Sequence, residues 1–526
     1  MGSGKNLSKW EEGIEDMRTY KWLALCMAIV LVMLTGCQSI GGIDVTKVLK
    51  KQLDIHAYEA QQTMSIHFEP ASGKLKDEDA AMMKAFNDAL LTVQVKAQDP
   101  EHFSMTGKLK VASDEVPFTI GLKDNRTVIK VEGAQSPIVI GEEMKTMLSI
   151  VQPSTKQMKA FVESTFALLG KHAPNPANAS VKQVTEQVMG QSLPLSQVHI
   201  EFGGNELIPW LKQLLQSALK DEEGLKAWFM EMGKWYAPMI TAAIAQAGHE
   251  MEGEIPALLK DGELLGLTAY KMFKEQAPAI ISELERSNDT WLKDNSGLTA
   301  LLSGETKLVL DLYVDQNMNV RKSKASLAIA VPTSAEAPFT KVTINQSTEY
   351  SNVNGTVKAD EWEATSSYVS LTDPEMTPGK WLRHFDSSSV AHKWLKQAGI
   401  TKKWTTIPVS ASNYDEWFYE GMAMTYTKNG TMMVPLRVVT DEFDAKLKWE
   451  GKSKLTIIDD ITGGVTELTM NSKQAKVGGQ TIDMPLAPEE KDGQLYVPLR
   501  SLAQMLGFTF TINKSDGTQW LEMNRE

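Results

Sequence analysis

The sequence predicts an α+β protein: an antiparallel sheet domain with a helical insertion, followed by a smaller α+β domain made of two similar halves. Three observations predict it. Apolar residues alternate with polar ones along much of residues 64–132 and 306–349, and they take helical spacing from Pro153 to about residue 290. A stretch of 21 residues near the C-terminus recurs at an offset of 63.

The first segment differs in kind from the rest. From Trp22 to Leu34 the chain reads WLALCMAIVLVML, 13 residues without a charged side chain, preceded by Arg18 and Lys21. That is the length of a signal-peptide core, too short to cross about 30 Å of hydrocarbon as a helix. Leu34, Thr35, Gly36 and Cys37 end it: a leucine, two small residues and a cysteine. This resembles the lipobox of bacterial lipoprotein precursors. The resemblance implies signal-peptidase recognition of Leu34, Thr35 and Gly36, cleavage before Cys37, and a diacylglycerol with palmitate-like chains on the Cys37 sulfur. Residues 1–36 are then a signal peptide and residues 37–43 a lipidated tether. Met17 and Arg18 would begin a more compact signal than the acidic stretch before them, so the start of translation stays open between Met1 and Met17. The expected location is the extracytoplasmic face of the cell membrane, with the protein lipid-anchored. Cys26 falls in the removed segment, leaving one thiol, from which neither an intramolecular disulfide nor a cysteine-rich zinc site can be built.

Residues 44–370 read as one domain. Met64, Ile66 and Phe68 interleave with polar residues, as do Val93 and Val95; Phe103 to Val111, Phe118 to Leu122 and Thr127 to Glu132 continue a meander. Helices are predicted for Thr155 to Leu169, for Leu207 to Leu219 behind a cap at Asn205, for Glu223 to Ala247 and for Ile255 to Arg286, with one strand, Gln197 to Phe202, inside the helical block of residues 153–290. Pro209 is early enough to be tolerated, whereas Pro238 and Pro278 are expected to kink or divide their helices. Strands return at Thr306 to Val314, Asn319 to Val331 and Lys341 to Glu349. A sheet curled around helices could leave a greasy interior, an architecture that resembles lipid-carrier lipoproteins. Residues 371–420 read as a linker or the start of the C-terminal domain.

The duplicated stretch occupies residues 421–526. Asn429 to Trp449 is echoed by Asp492 to Ile512: Gly430 matches Gly493, and Val434, Pro435, Leu436 and Arg437 match Val497, Pro498, Leu499 and Arg500. Each copy reads as a turn, a strand entering Val-Pro-Leu-Arg, a short amphipathic helix and a second strand. Proline suits the junction because it fixes φ and needs no ladder donor. The signature N-G-x-x-x-V-P-L-R, followed by a helix, a glycine (Gly507 in the second copy) and a tryptophan-bearing strand (Trp449 in the first), resembles the copper amine oxidase N-terminal domain-like, or stalk, family. Two positions depart from it: Asp444 stands in place of the glycine in the first copy and Ile512 in place of the tryptophan in the second. The resemblance implies a non-catalytic surface module of the kind found in Gram-positive bacteria. It does not imply copper.

Chemistry is sparse. Amine oxidase activity would need a quinone-forming tyrosine and a His-x-His pair; Asn413-Tyr414-Asp415 is followed by Glu416, and the eight histidines contain no such pair. No cofactor and no metal are expected. Met422, Met424, Met432 and Met433 are read as core fillers rather than copper ligands, since methionine is abundant here. Arg437 and Arg500 are read as structural, in an ion pair or a loop hydrogen bond, with a carbohydrate or anionic wall polymer as the alternative. Trp417, Trp449 and Trp520 are weighed as a sugar platform, Trp449 being assigned to the core. A net charge of −12 excludes a nucleic-acid partner on electrostatic grounds. The expected function is therefore non-enzymatic: binding or scaffolding at the membrane and cell wall, or, alternatively, carriage of a lipid or other apolar ligand.

Overall fold

The computed structural model describes residues 39–71, 87, 89–99, 101–123, 126–140, 155–246, 261–286, 296–332, 339–361, 367–373, 376–410, 424–451, 453–515 and 518–525. It is a mixed α+β structure of two compact units, Met1–Val128 with Ile140–Ala364, and Ile129–Val139 with Thr365–Glu526. Leu34 to Cys37, and with them the expected signal and acylation site, lie outside the described residues.

The first unit begins with a bridge between Ile40 and Ile43 and the helix α1 (Val45–Gln52), capped by Asp44. Residues 40–43 are thus part of the fold, which shortens the expected tether of residues 37–43. Then come β1 (Tyr58–Pro70), β2 (Ala89–Asp99), β3 (His102–Val111) and β4 (Asp114–Lys123); β5 (Arg126–Val131) and β6 (Ile138–Ile140) straddle the boundary between the units. After α2 (Thr155–His172) a hairpin of β7 (Asn178–Val188) and β8 (Gln191–Gly203) precedes α3 (Leu207–Ala218), α4 (Glu222–Gln246), α5 (Gly262–Arg286) and α6 (Ser296–Leu301). Three strands close the unit: β9 (Lys307–Val314), β10 (Val320–Ala330) and β11 (Phe339–Ser351).

Nine of these strands pair antiparallel in the order β4-β3-β2-β1-β11-β10-β9-β8-β7, so the last strand docks on the first. The period-two pattern gives the sheet two unlike faces. Val198, Ile200 and Phe202 of β8 and Leu308, Leu310 and Leu312 of β9 face one way, covered by Val45 and Val48 of α1 and by Leu169, Trp210 and Leu214 of α2 and α3. The other face is polar: Thr92, Thr63, Ser347, Lys324, Asp311, His199 and Ser180 form one cross-strand row.

One expectation needs correction and a second is narrowed. The helical block is interrupted by a hairpin, not a single strand. β7 escaped notice because its turn, Met189 and Gly190 at φ 48° and 78°, puts a methionine where asparagine usually signals such a turn. Pro238 and Pro278 do not divide their helices; α4 and α5 run through both. These helices pack with backbones in near contact at Gly233, Gly262 and Gly266, where a Cβ on Gly266 would sit 2.2 Å from the Phe229 carbonyl oxygen. Packing on this scale outweighs one missing N–H donor.

In the second unit β12 (Val369–Ser370) pairs parallel with Ile138 and Val139, and α7 (Pro378–His384) and α8 (Val390–Gln397) start at the caps Thr377 and Ser389. The rest is β13 (Lys403–Ser410), β14 (Tyr426–Lys428), β15 (Thr431–Pro435), α9 (Leu436–Glu442), β16 (Ala445–Glu450), β17 (Lys454–Asp459), β18 (Val465–Thr469), β19 (Gln474–Val477), β20 (Gln480–Asp483), β21 (Glu489–Lys491), β22 (Gln494–Pro498), α10 (Leu499–Leu506), β23 (Thr509–Ser515) and β24 (Thr518–Arg525). They form three small sheets, β13-β24-β23, β14-β15-β22-β21 and β16-β17-β18-β19-β20, around one core.

Candidate functional site

The two Val-Pro-Leu-Arg stretches meet each other. β15 and β22 pair antiparallel with Val434 opposite Val497, Met433 opposite Pro498 and Pro435 opposite Tyr496. Pairing at the same residue of each copy makes a local twofold, and the repeated signature is therefore the seam of the module. Val434, Val497, Leu436 and Leu499 are buried in the common core with Phe443, Leu502 and Leu506. Pro435 and Pro498 cap α9 and α10 at φ −68° and −60°. Gly430 and Gly493, at φ 74° and 75°, follow Asn429 and Asp492 at φ 50° and 51°, the positive-φ conformation that two-residue hairpin turns demand. Tyr426 and Glu489, themselves 63 residues apart, are hydrogen-bonded, and Lys428 joins the same carboxylate. Burial, then the Glu489 carboxylate, pushes the Tyr426 phenol upward; Lys428, then Tyr426, holds Glu489 below the usual carboxylate range.

The departure at Asp444 now has a physical reading. Gly507 ends α10 in the left-handed region at φ 68°, and Asp444 adopts φ 51° at the matching end of α9. Its carboxylate is buried, pairs with Lys403 at 3.2 Å through one oxygen, and leaves the other without a partner.

Arg437, Arg500 and Trp449 all reach solvent. Arg437 and Arg500 are exposed and make no ion pair among the described residues, because the second position of each helix points to solvent. Trp449 lies opposite the buried Leu455, on the core side of its sheet, but β16 is an edge strand and the indole is 43% exposed. Trp417 and the Asn413–Glu416 stretch lie outside the described residues, as does Met422; Met433 is fully buried and Met432 packs beside the same core, each as a filler.

Sequence reasoning missed Trp404, which is 65% exposed. It lies on β13 opposite Asn524, and Pro408, four residues on, lies opposite Trp520 of β24. Leu521 and Met523 alternate into the core, so Trp404, Thr406, Trp520, Glu522 and Asn524, with Thr509, Thr511 and Asn513 of β23, share the outer face of this sheet. Strand geometry separates the Cα atoms of the two tryptophans by about 14 Å. Among the described residues the face carries two tryptophans, several hydrogen-bonding groups, one carboxylate and no lysine or arginine.

In the first unit the polar sheet face holds a depression of about 270 Å³ lined by Thr63, Ser65, Asp311, Lys324, Ser326 and Ser347 among others. Asp311 accepts from Gln197 at 2.7 Å and lies 2.8 Å from His199 Nδ1. His172 is held between Ser217 (3.0 Å from Nδ1) and Asp221 (2.8 Å from Nε2). Asp221 also accepts from Gly224 N at the start of α4 and pairs with Lys171, so this trio ties the end of α2 to the start of α4. Lys171, His172 and Gly224 together hold its carboxyl well below the usual range. Among the described residues no group of three or more His, Cys, Asp or Glu side chains could hold a metal ion, and no helix is long and apolar enough to cross a membrane.

Residues 419–519 match the family model of the copper amine oxidase N-terminal domain, the region that contains both copies of the repeat. Neither the curated proteins nor the solved structures gave a match.

Proposed function

We propose that the chain is a non-catalytic surface lipoprotein, lipid-anchored through Cys37, whose C-terminal unit binds wall glycan through the Trp404–Trp520 face. The observation that carries the reading is that face. Indoles stack on the C–H faces of sugars while the flanking Thr406, Thr511, Asn513 and Asn524 offer hydrogen bonds, a pairing suited to a polyhydroxylated chain. With Glu522 as its one charge among the described residues, the face favours a neutral glycan over an anionic polymer. Retention of the whole protein on purified peptidoglycan, compared with a Trp404→Ala/Trp520→Ala variant, tests it. Equal retention of the two, or none by the wild type, rejects the glycan reading. Anchoring is tested apart from it: labelled palmitate should enter the wild type and not Cys37→Ser.

One observation favours carriage of an apolar ligand as a second reading. On the apolar side of β1–β4, Met64, Leu91, Phe118 and Ile120 are incompletely buried, and Met158, Tyr236, Ile240, Leu264 and Met272 of the helices are exposed. Mass spectrometry of an organic extract of the purified protein should then find stoichiometric lipid. The 270 Å³ depression lies on the opposite face of the sheet, away from these side chains.

A further inference from the structure

Cys37 lies close in sequence to Ile40, which is paired with Ile43. Ile40 is buried and exchanges both backbone hydrogen bonds with Ile43, at 3.0 and 2.9 Å, and the Asp44 carboxylate accepts from Lys47 N at 2.9 Å to start α1. Cys37 and Ile40 are three residues apart, a reach of at most about 10 Å. Any lipid on Cys37 therefore holds α1 against the headgroups.

The composition of α1 is suited to that place. Val45 and Val48 face the core, while Lys47, Lys50 and Lys51 fall at i, i+3 and i+4 on the opposite side. The Lys51 ammonium donates to the Asn317 carbonyl. Lys47 and Lys50 are exposed and have no carboxylate partner among the described residues. Of the acids nearby, Asp44 is engaged as the cap and Asp54 pairs with Lys159 at 2.8 Å. A chain of net charge −12 is repelled as a whole by an anionic bilayer, yet these two exposed lysines stand where it would approach one.

We infer that the Lys47–Lys50 face of α1 docks on anionic phospholipid headgroups and so fixes how the first unit stands on its membrane. The inference rests on acylation at Cys37, and the experiment separates the two. A chain beginning at Cys37 has a single thiol, to which one saturated myristoyl-length chain is joined through a maleimide; partition onto phosphatidylcholine vesicles with and without phosphatidylglycerol is then measured. One such chain binds marginally, and each lysine at an anionic surface adds about fivefold, so Lys47→Gln/Lys50→Gln should lower binding to the anionic vesicles about 25-fold. The loss should be absent on phosphatidylcholine and fade at high salt. Lys473→Gln/Lys476→Gln makes the same change in net charge on exposed residues of the second unit and should lose little. Equal losses from the two pairs, or none from Lys47→Gln/Lys50→Gln, overturn the inference. Because the acyl chain is attached chemically, that outcome leaves acylation in the cell to be decided by palmitate labelling.

Discussion

Arg525→Met is expected to open the second unit. Arg525 and Asp459 are both about 95% buried; Nη2 donates to Asp459 Oδ2 at 2.5 Å and Nη1 to the Phe443 carbonyl at 2.9 Å, binding β24 to the end of α9 and to β17. Removing one partner of a buried pair costs about 3–5 kcal/mol. Here Asp459 keeps its bonds from Ile461 N at 2.9 Å and Thr462 Oγ1 at 2.5 Å, so the charge is not stripped bare, while the Phe443 carbonyl is orphaned. The lower end applies, about 3 kcal/mol, or a hundredfold faster amide exchange if the unit opens as a whole. Hydrogen-exchange mass spectrometry of peptides from β17 and β24 measures it. A change below about 1 kcal/mol would mean that water reaches the pair and the reasoning fails.

Further outcomes follow from the same geometry. Asp444→Gly should be at least as stable as wild type, because it relieves a positive φ and an unpartnered buried oxygen; Asp444→Ala should be about 1 kcal/mol less stable than the glycine variant by chemical denaturation. Gly507→Ala at φ 68° should cost about 1 kcal/mol in the same assay. Val434→Ala/Val497→Ala, cut from the centre of the twofold seam, should cost about 2 kcal/mol or more, read as a lower denaturation midpoint. In the first unit Lys322 is buried between Glu186 and Glu349, each at 3.0 Å. Burial alone would raise Glu349, but the Met189 amide and Lys322 outweigh it and its carboxyl is held low. A depressed carboxylate stabilises above its unfolded pKa and loses that contribution as pH falls through the folded value. Urea midpoints should therefore drop on acidification below about pH 4.5, and drop less in Lys322→Met/Glu349→Gln.

Periodicity settled a good deal without coordinates. Alternation at Met64–Phe68 and Val93–Val95, and helical spacing in Leu207–Leu219, are local consequences of which side chains must leave water, and the elements lie where those patterns place them. The 63-residue offset likewise announced two halves with a turn, a strand and a helix each. What it could not announce is that the Val-Pro-Leu-Arg strands pair with each other, because strand partners are chosen by packing between residues far apart in the chain. β7 was hidden by a methionine at positive φ, and two unbroken helices override their prolines through glycine-mediated backbone contact. The candidate surface was legible only in part. Trp520 could be named from the sequence, but Trp404 joins it only because β13 lands beside β24 from more than a hundred residues away, and Trp449 stands apart from them because its strand belongs to another sheet. Composition fixes what a residue can bind; which residues stand together to bind it is decided by the tertiary pairing of strands.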